Sequence, residues 1–167
     1  MLETIKNAQF YHTSFFPEPE LNILHKKLGY FPEDCILPYL DIFRMFLIHP
    51  KCQDMFRKLG GGMQEYTRVL ELLKVSKNDN VRVLAMRILC NLFLHEATRL
   101  LLTSRRQEIF DVLSNFIDTE NKLIKSCLIG LFFKYLKFLN KLSFSVLLYD
   151  KIDSDESLQI LSLLNEV

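Results

Sequence analysis

The chain carries almost no net charge, no CxxC pair, no Asn-Gly turn and no apolar run long enough to span a bilayer. Twenty acidic residues against twenty-one basic ones leave a formal +1, so the whole-molecule field that draws proteins to nucleic acid or an anionic membrane is missing. Nucleic-acid binding would also want a dense Lys/Arg surface rimmed by stacking aromatics, and the Arg105-Arg106 pair is too small for that. Four cysteines, Cys35, Cys52, Cys90 and Cys127, lie far apart with no histidine at metal-ligand spacing. That removes zinc and redox motifs, and no metal or other cofactor is expected. Their apolar neighbours, as in RILCNLF and KSCLIGL, mark them as small core residues, and free thiols fit a reducing compartment, cytoplasmic or nuclear. The start, MLETIKNAQF, has neither a charged n-region leading into an apolar run nor a cleavage-like site. The most apolar stretch, CLIGLFFKYLKFLNK, is broken by lysines before it reaches about 18 residues, which argues against a membrane span. Strands are not expected either, because no sustained period-two alternation occurs.

What the chain does have is internal repetition. FLIHPKCQDMF from Phe46, LFLHEATRLLL from Leu92 and FLNKLSFSVLL from Phe138 align at a constant offset of 46, and His49 meets His95. Periods of roughly 40 to 47 residues with helical content belong to HEAT and armadillo arrays, whose units bury their apolar sides only against neighbours. With 49% hydrophobic residues and fourteen phenylalanines there is ample material for a continuous core. The fold class expected is all-α, an armadillo/HEAT-like α-solenoid of about three to four repeats.

Helix signals fill the period. Pro17 and Pro19 open an amphipathic segment over 18–28 with Gly29 as its C-cap, and Pro32 with Glu33 and Asp34 starts a helix reaching Ile48 before Pro50 blocks it. Pro38 inside that run predicts a kink or a two-part helix. A short element over 51–59, a Gly60–Gly62 loop and a helix over Met63–Val75 follow. Asp79 is the candidate N-cap for Val81–Leu94, ahead of helices over 96–103 and Gln107–Ile117. A long helix from Asp118–Asn121 to about Phe138 comes next, and SLQILSLLNEV from Ser157 is amphipathic with apolar residues at its end. Residues 1–15 read as an N-terminal extension and 16–167 as the domain.

Within Val81–Leu94 the polar residues are Arg82, Arg87 and Asn91, and the last two lie four apart on one face. At an offset of 46, Arg87 meets Asp41, with Arg44 close by, and Phe133, next to Lys134, with Lys137 three further on. A row of Asp41, Arg44, Arg87, Lys134 and Lys137 would then cross three stacked helices and attract an acidic peptide into a groove. The competing reading is a set of intramolecular ion pairs, Asp41 with Arg44 and Arg87 with Asp41, serving solubility.

FPEDCILPYLDIFRMFLIHP, residues 31–50, resembles the opening of the PUL domain found in phospholipase-activating-type ubiquitin adaptors, through Pro32, Asp34, Pro38, Leu40, Asp41, Arg44, His49 and Pro50. LAMRILCNLF, residues 84–93, is similar to that family's leucine-rich helix, and Lys122 to Tyr135 is a weaker third match with Lys134 where relatives carry Asn. The resemblance runs from about Phe16 to the end and implies that C-terminal repeats of the longer family domain are missing. It also implies a non-enzymatic module that docks the acidic, tyrosine-bearing C-terminal tail of a hexameric AAA ATPase segregase, valosin-containing protein, and meets ubiquitin-pathway proteins through other domains. By motif Arg87 is the leading peptide-binding residue, with Asn91 beside it and Arg44 matching by pattern; Lys134 and Lys137 come from the row alone. Alternatives are a generic helical-repeat scaffold or dimerisation module for a different partner, and an accessory domain of a papain-like isopeptidase.

Catalysis within these residues finds no geometry. Cys35 and His49, 14 apart, would lie about 21 Å apart on a helix, and Cys90 and His95 are rotated by about 140°. His49 and His95 recur at the helix-to-helix corner, where capping of carbonyls at a helix C-terminus is their expected use.

Overall fold

A computed structural model describes residues 17, 19–20, 23–24, 31–49, 52–58 and 62–150, and no strand occurs among them. The fold is all-α. Seven helices follow in order among the described residues: α1 Glu33–Phe46, α2 Cys52–Lys58, α3 Met63–Val75, α4 Asp79–Leu92, α5 Glu96–Ser104, α6 Arg106–Ser114 and α7 Lys122–Asp150. The chain divides into two compact units, Met1–Leu131 and Phe132–Val167.

Pro32 is the N-cap of α1, where its ring fixes φ at −63° and Glu33 follows as the first helical residue. Pro38 lies inside one uninterrupted helix, so the two-part form does not occur. Its ring is exposed, and the loss is limited to the single bond its missing N–H would have made to Asp34. The opposite face of α1, Ile36, Leu40, Phe43 and Phe46, is wholly buried at the three-and-four spacing of a helix. Tyr39 adds a tie to the segment before α1, its hydroxyl donating to the carbonyl of Leu24.

The 46-residue offset reappears in the helices. Helices α1 and α4 each have 14 residues and begin 46 apart, at Glu33 and Asp79. Helices three apart in chain order also touch, α1 with α4, α2 with α5 and α3 with α6, while α4 packs on α3 and α5 as well. Helix α4 is therefore the most enclosed, with Val81, Ala85, Met86, Ile88, Leu89 and Leu92 fully buried.

Several expectations need correction. The N-cap of α4 is Asn78, whose side-chain oxygen accepts from the Asn80 N–H at 3.0 Å, while Asp79 is the first helical residue and its carboxylate is used elsewhere. That helix starts and ends two residues earlier than expected, because Leu94 and His95 turn back on the carbonyls of Asn91 and Leu92. Helix α6 stops at Ser114, short of Ile117. The largest difference is in α7. Phe46 and Leu92 end their helices, whereas Phe138 lies inside a helix that continues to Asp150. From Phe138 to Asp150 the sequence offers neither proline nor glycine to stop it, and Lys141 stands where the corner histidines stand in the first two copies. Of the segment expected over 18–28, residues 19, 20, 23 and 24 are helical. The rest of it, with Gly29, Pro50, Gly60, Gly61 and the segment from Ser157, lies outside the described residues.

Candidate peptide-binding face

The end of α1 determines how its neighbours are held. Past Phe43 the backbone tightens, with Ile48 N–H bonded to the Met45 carbonyl and His49 N–H to that of Phe46. The carbonyls of Arg44 and Leu47 then need other donors, as the last carbonyls of a helix do. Asn91 supplies one, its amide nitrogen donating to the Arg44 carbonyl at 2.9 Å, and His95 Nε2–H donates to Leu47 at 2.6 Å. Both come from the end of α4 or the corner after it, so two side chains stitch α4 to the end of α1.

His95 is 5% exposed and lies beside the Phe56 ring. Burial holds its pKa below the ordinary imidazole value, with the Leu47 bond opposing the shift and nearby Arg99 adding to it. A neutral ring with its proton on Nε2 fits that environment. The expected carbonyl-capping use is thus met for His95, with the difference that the capped helix is α1 and not its own. His49 is buried at the equivalent corner.

Of the residues singled out from the sequence, Arg87 is exposed on α4, and among the described residues no salt bridge or hydrogen bond holds its side chain. It is a guanidinium on a helix whose other sides are covered. Arg44 is half-buried and already engaged, with Nε at 3.0 Å and a terminal nitrogen at 2.6 Å from one Asp41 oxygen. That is the i,i+3 pair of the competing reading; its second pair, Arg87 with Asp41, is not formed. Asn91 is half-buried and its amide nitrogen is taken by the Arg44 backbone. Lys134 is half-buried and Lys137 exposed; both belong to the second compact unit, and Arg44, Arg87 and Asn91 belong to the first.

Two further joints escaped the sequence reading. Asn121 caps α7 through its side-chain oxygen, accepting from Leu123 N–H at 3.0 Å, and its amide nitrogen donates to Asp79 at 2.9 Å. Asp79 also accepts from Arg82 at 3.0 Å, and these two bonds hold its carboxyl below the ordinary range. On α6, Glu108 accepts from the Tyr66 hydroxyl of α3 at 2.7 Å, with Lys74 at 3.5 Å; the Tyr66 bond is the main cause that lowers its pKa. Neither joint has a sequence signal beyond polar residues spaced 42 apart, which only the packed helices bring together.

An all-helical domain with an exposed, unpaired guanidinium on an otherwise covered helix fits the class of helical protein-interaction modules. The PUL domain family matches residues 1–167, and the chain belongs to that family. It is also similar to the phospholipase A-2-activating protein of Xenopus laevis, with 30% identity over 112 residues, 67% of this chain and 14% of that protein's length. No described helix is long and apolar enough to cross a membrane.

Proposed function

We propose that this chain is a non-enzymatic adaptor module, an armadillo/HEAT-like solenoid of about three to four repeats. It docks the acidic C-terminal tail of a hexameric AAA ATPase segregase of the valosin-containing protein type, in ubiquitin-dependent protein turnover in the cytoplasm or nucleus. The solenoid reading is supported by the 46-residue spacing of α1 and α4 and by the α1–α4, α2–α5 and α3–α6 packing. The observation that carries the docking reading is Arg87, exposed on α4 with no partner among the described residues. A planar guanidinium that spends nothing on an internal pair is free to take a ligand carboxylate bidentately.

Arg44 is a secondary contact, since any ligand oxygen must share it with Asp41. Lys134 and Lys137 are the further cations proposed to meet an acidic tail. Asn91 serves the ligand indirectly, through the α1 backbone it holds.

Titrating the segregase tail peptide calorimetrically tests the assignment. Arg87→Ala is expected to weaken binding by roughly tenfold or more, the cost of about 1.5–3 kcal/mol for a hydrogen bond to a charged group, while thermal unfolding stays nearly unchanged. Equal affinity for the two proteins removes Arg87 from the site.

A further inference from the structure

Seven residues beyond Arg87, Leu94 is 49% exposed, and Ile48, at the same register after α1, is 41% exposed. A single aliphatic side chain in water needs no explanation. Two stand at equivalent corners of helices that touch, where the Asn91 and His95 bonds hold the two helix ends together. The backbone aims them: Ile48 N–H bonds to Met45 at 3.2 Å and Leu94 N–H to Asn91 at 3.0 Å, so each chain keeps turning in the helical sense through one tighter turn past its helix end. Seven residues turn a helix by about 700°, nearly two full turns, so Leu94 stays on the Arg87 side of α4 and Ile48 on the Asp41 side of α1. The rise between Arg87 and Leu94 is about 10 Å. An extended peptide covers that in about three residues.

We propose that Ile48 and Leu94 form an apolar subsite. It receives one aliphatic or aromatic side chain of the ligand, about three residues along an extended backbone from the carboxylate that meets Arg87. The inference rests on the docking reading for the position of the acid, and adds what the ligand must carry besides charge. Its occupant is an extended acidic peptide with one apolar anchor, because a cation with exposed aliphatics about 10 Å further along its helix complements an acid and an apolar side chain at that spacing.

Methyl-detected NMR titration of the full chain tests it with two probes, the segregase tail peptide and a synthetic peptide of aspartates bearing one leucine at the stated spacing. Each is also used with its apolar residues replaced by serine. The Ile48 and Leu94 methyl signals are expected to shift in step with binding. Leu94→Ser, or the serine peptide, is expected to lose about fivefold in affinity, and the combination little more, since both remove one contact. Ile48→Ser provides a second variant with its fold checked by circular dichroism. Silent methyls with affinity unaltered by Leu94→Ser and Ile48→Ser overturn the subsite while leaving tail docking intact. Synthetic peptide binding with the methyl response, but no tail binding, removes the segregase and keeps the subsite. Failure of both peptides to bind removes both proposals.

Discussion

Gly62 shows how much one residue can carry. The three consecutive glycines read from sequence as a flexible link, but Gly62 is the N-cap of α3 with φ at +86°, in the left-handed region that L side chains avoid. A Cβ there would also lie 2.6 Å from Thr98 Cγ2 and 3.3 Å from the Phe56 ring. Thr98 cannot turn aside freely, because its hydroxyl donates to the carbonyls of Leu92 and His95. Gly62→Ala therefore carries a backbone penalty and a steric one, together about 2–4 kcal/mol. Urea denaturation should show a lowered midpoint, and adding Thr98→Ser, which deletes the offending methyl, should restore part of it. No recovery would mean that the backbone angle alone sets the cost. The sequence revealed that glycines were there; it could not reveal that one of them faces a threonine 36 positions away.

At the scale of elements, α1 and α4 were legible because a 46-residue offset and an apolar face leave a strong imprint on sequence. Their ends were less so. Arg87 and Asn91 share a helical face by spacing, yet α4 divides that face between solvent and the end of α1. Periodicity gives the angle of a side chain about its own axis, and says nothing about which arc a neighbouring helix covers. Spacing alone therefore groups Asn91 with Arg87 as a ligand contact, while in the fold its amide nitrogen donates to the Arg44 carbonyl of α1. Asn91→Ala should cost about 1–2 kcal/mol of stability by leaving that carbonyl without a donor, and any loss in peptide affinity should be small. Arg87→Ala should show the reverse pattern. If Asn91→Ala lowers affinity strongly with no change in the urea midpoint, Asn91 touches the ligand after all. For Asp79 and Asn121 the sequence showed only a helix start at each, since no local pattern announces a bond between two helix beginnings.

Across the whole molecule, the joints between helices respond to falling pH with one sign. His95 links the corner after α4 to α1, Asp79 links α4 to Asn121 at the start of α7, and Glu108 links α6 to α3. Each has its pKa lowered, His95 chiefly by burial, Asp79 by the bonds from Asn121 and Arg82, and Glu108 by the bond from Tyr66. A lowered pKa means that the unfolded chain takes up the proton first, so stability rises with pH across each window and is lost as pH falls. The His95 contribution is complete above an imidazole's ordinary pKa of about 6.5 and fades as pH drops below it; those of the two carboxyls are complete above about 4 and fade below that. Urea midpoints measured from pH 7.5 downward should fall in two steps. His95→Gln, which keeps a donor for Leu47 without a titrating ring, should flatten the upper step and leave the lower one. A midpoint in the parent protein that is level between pH 7.5 and 5.5 would show that the buried imidazole is not linked to folding. Acid would then act through the carboxylate joints alone, loosening α4 from α7 and α3 from α6 while the stitch between α1 and α4 held.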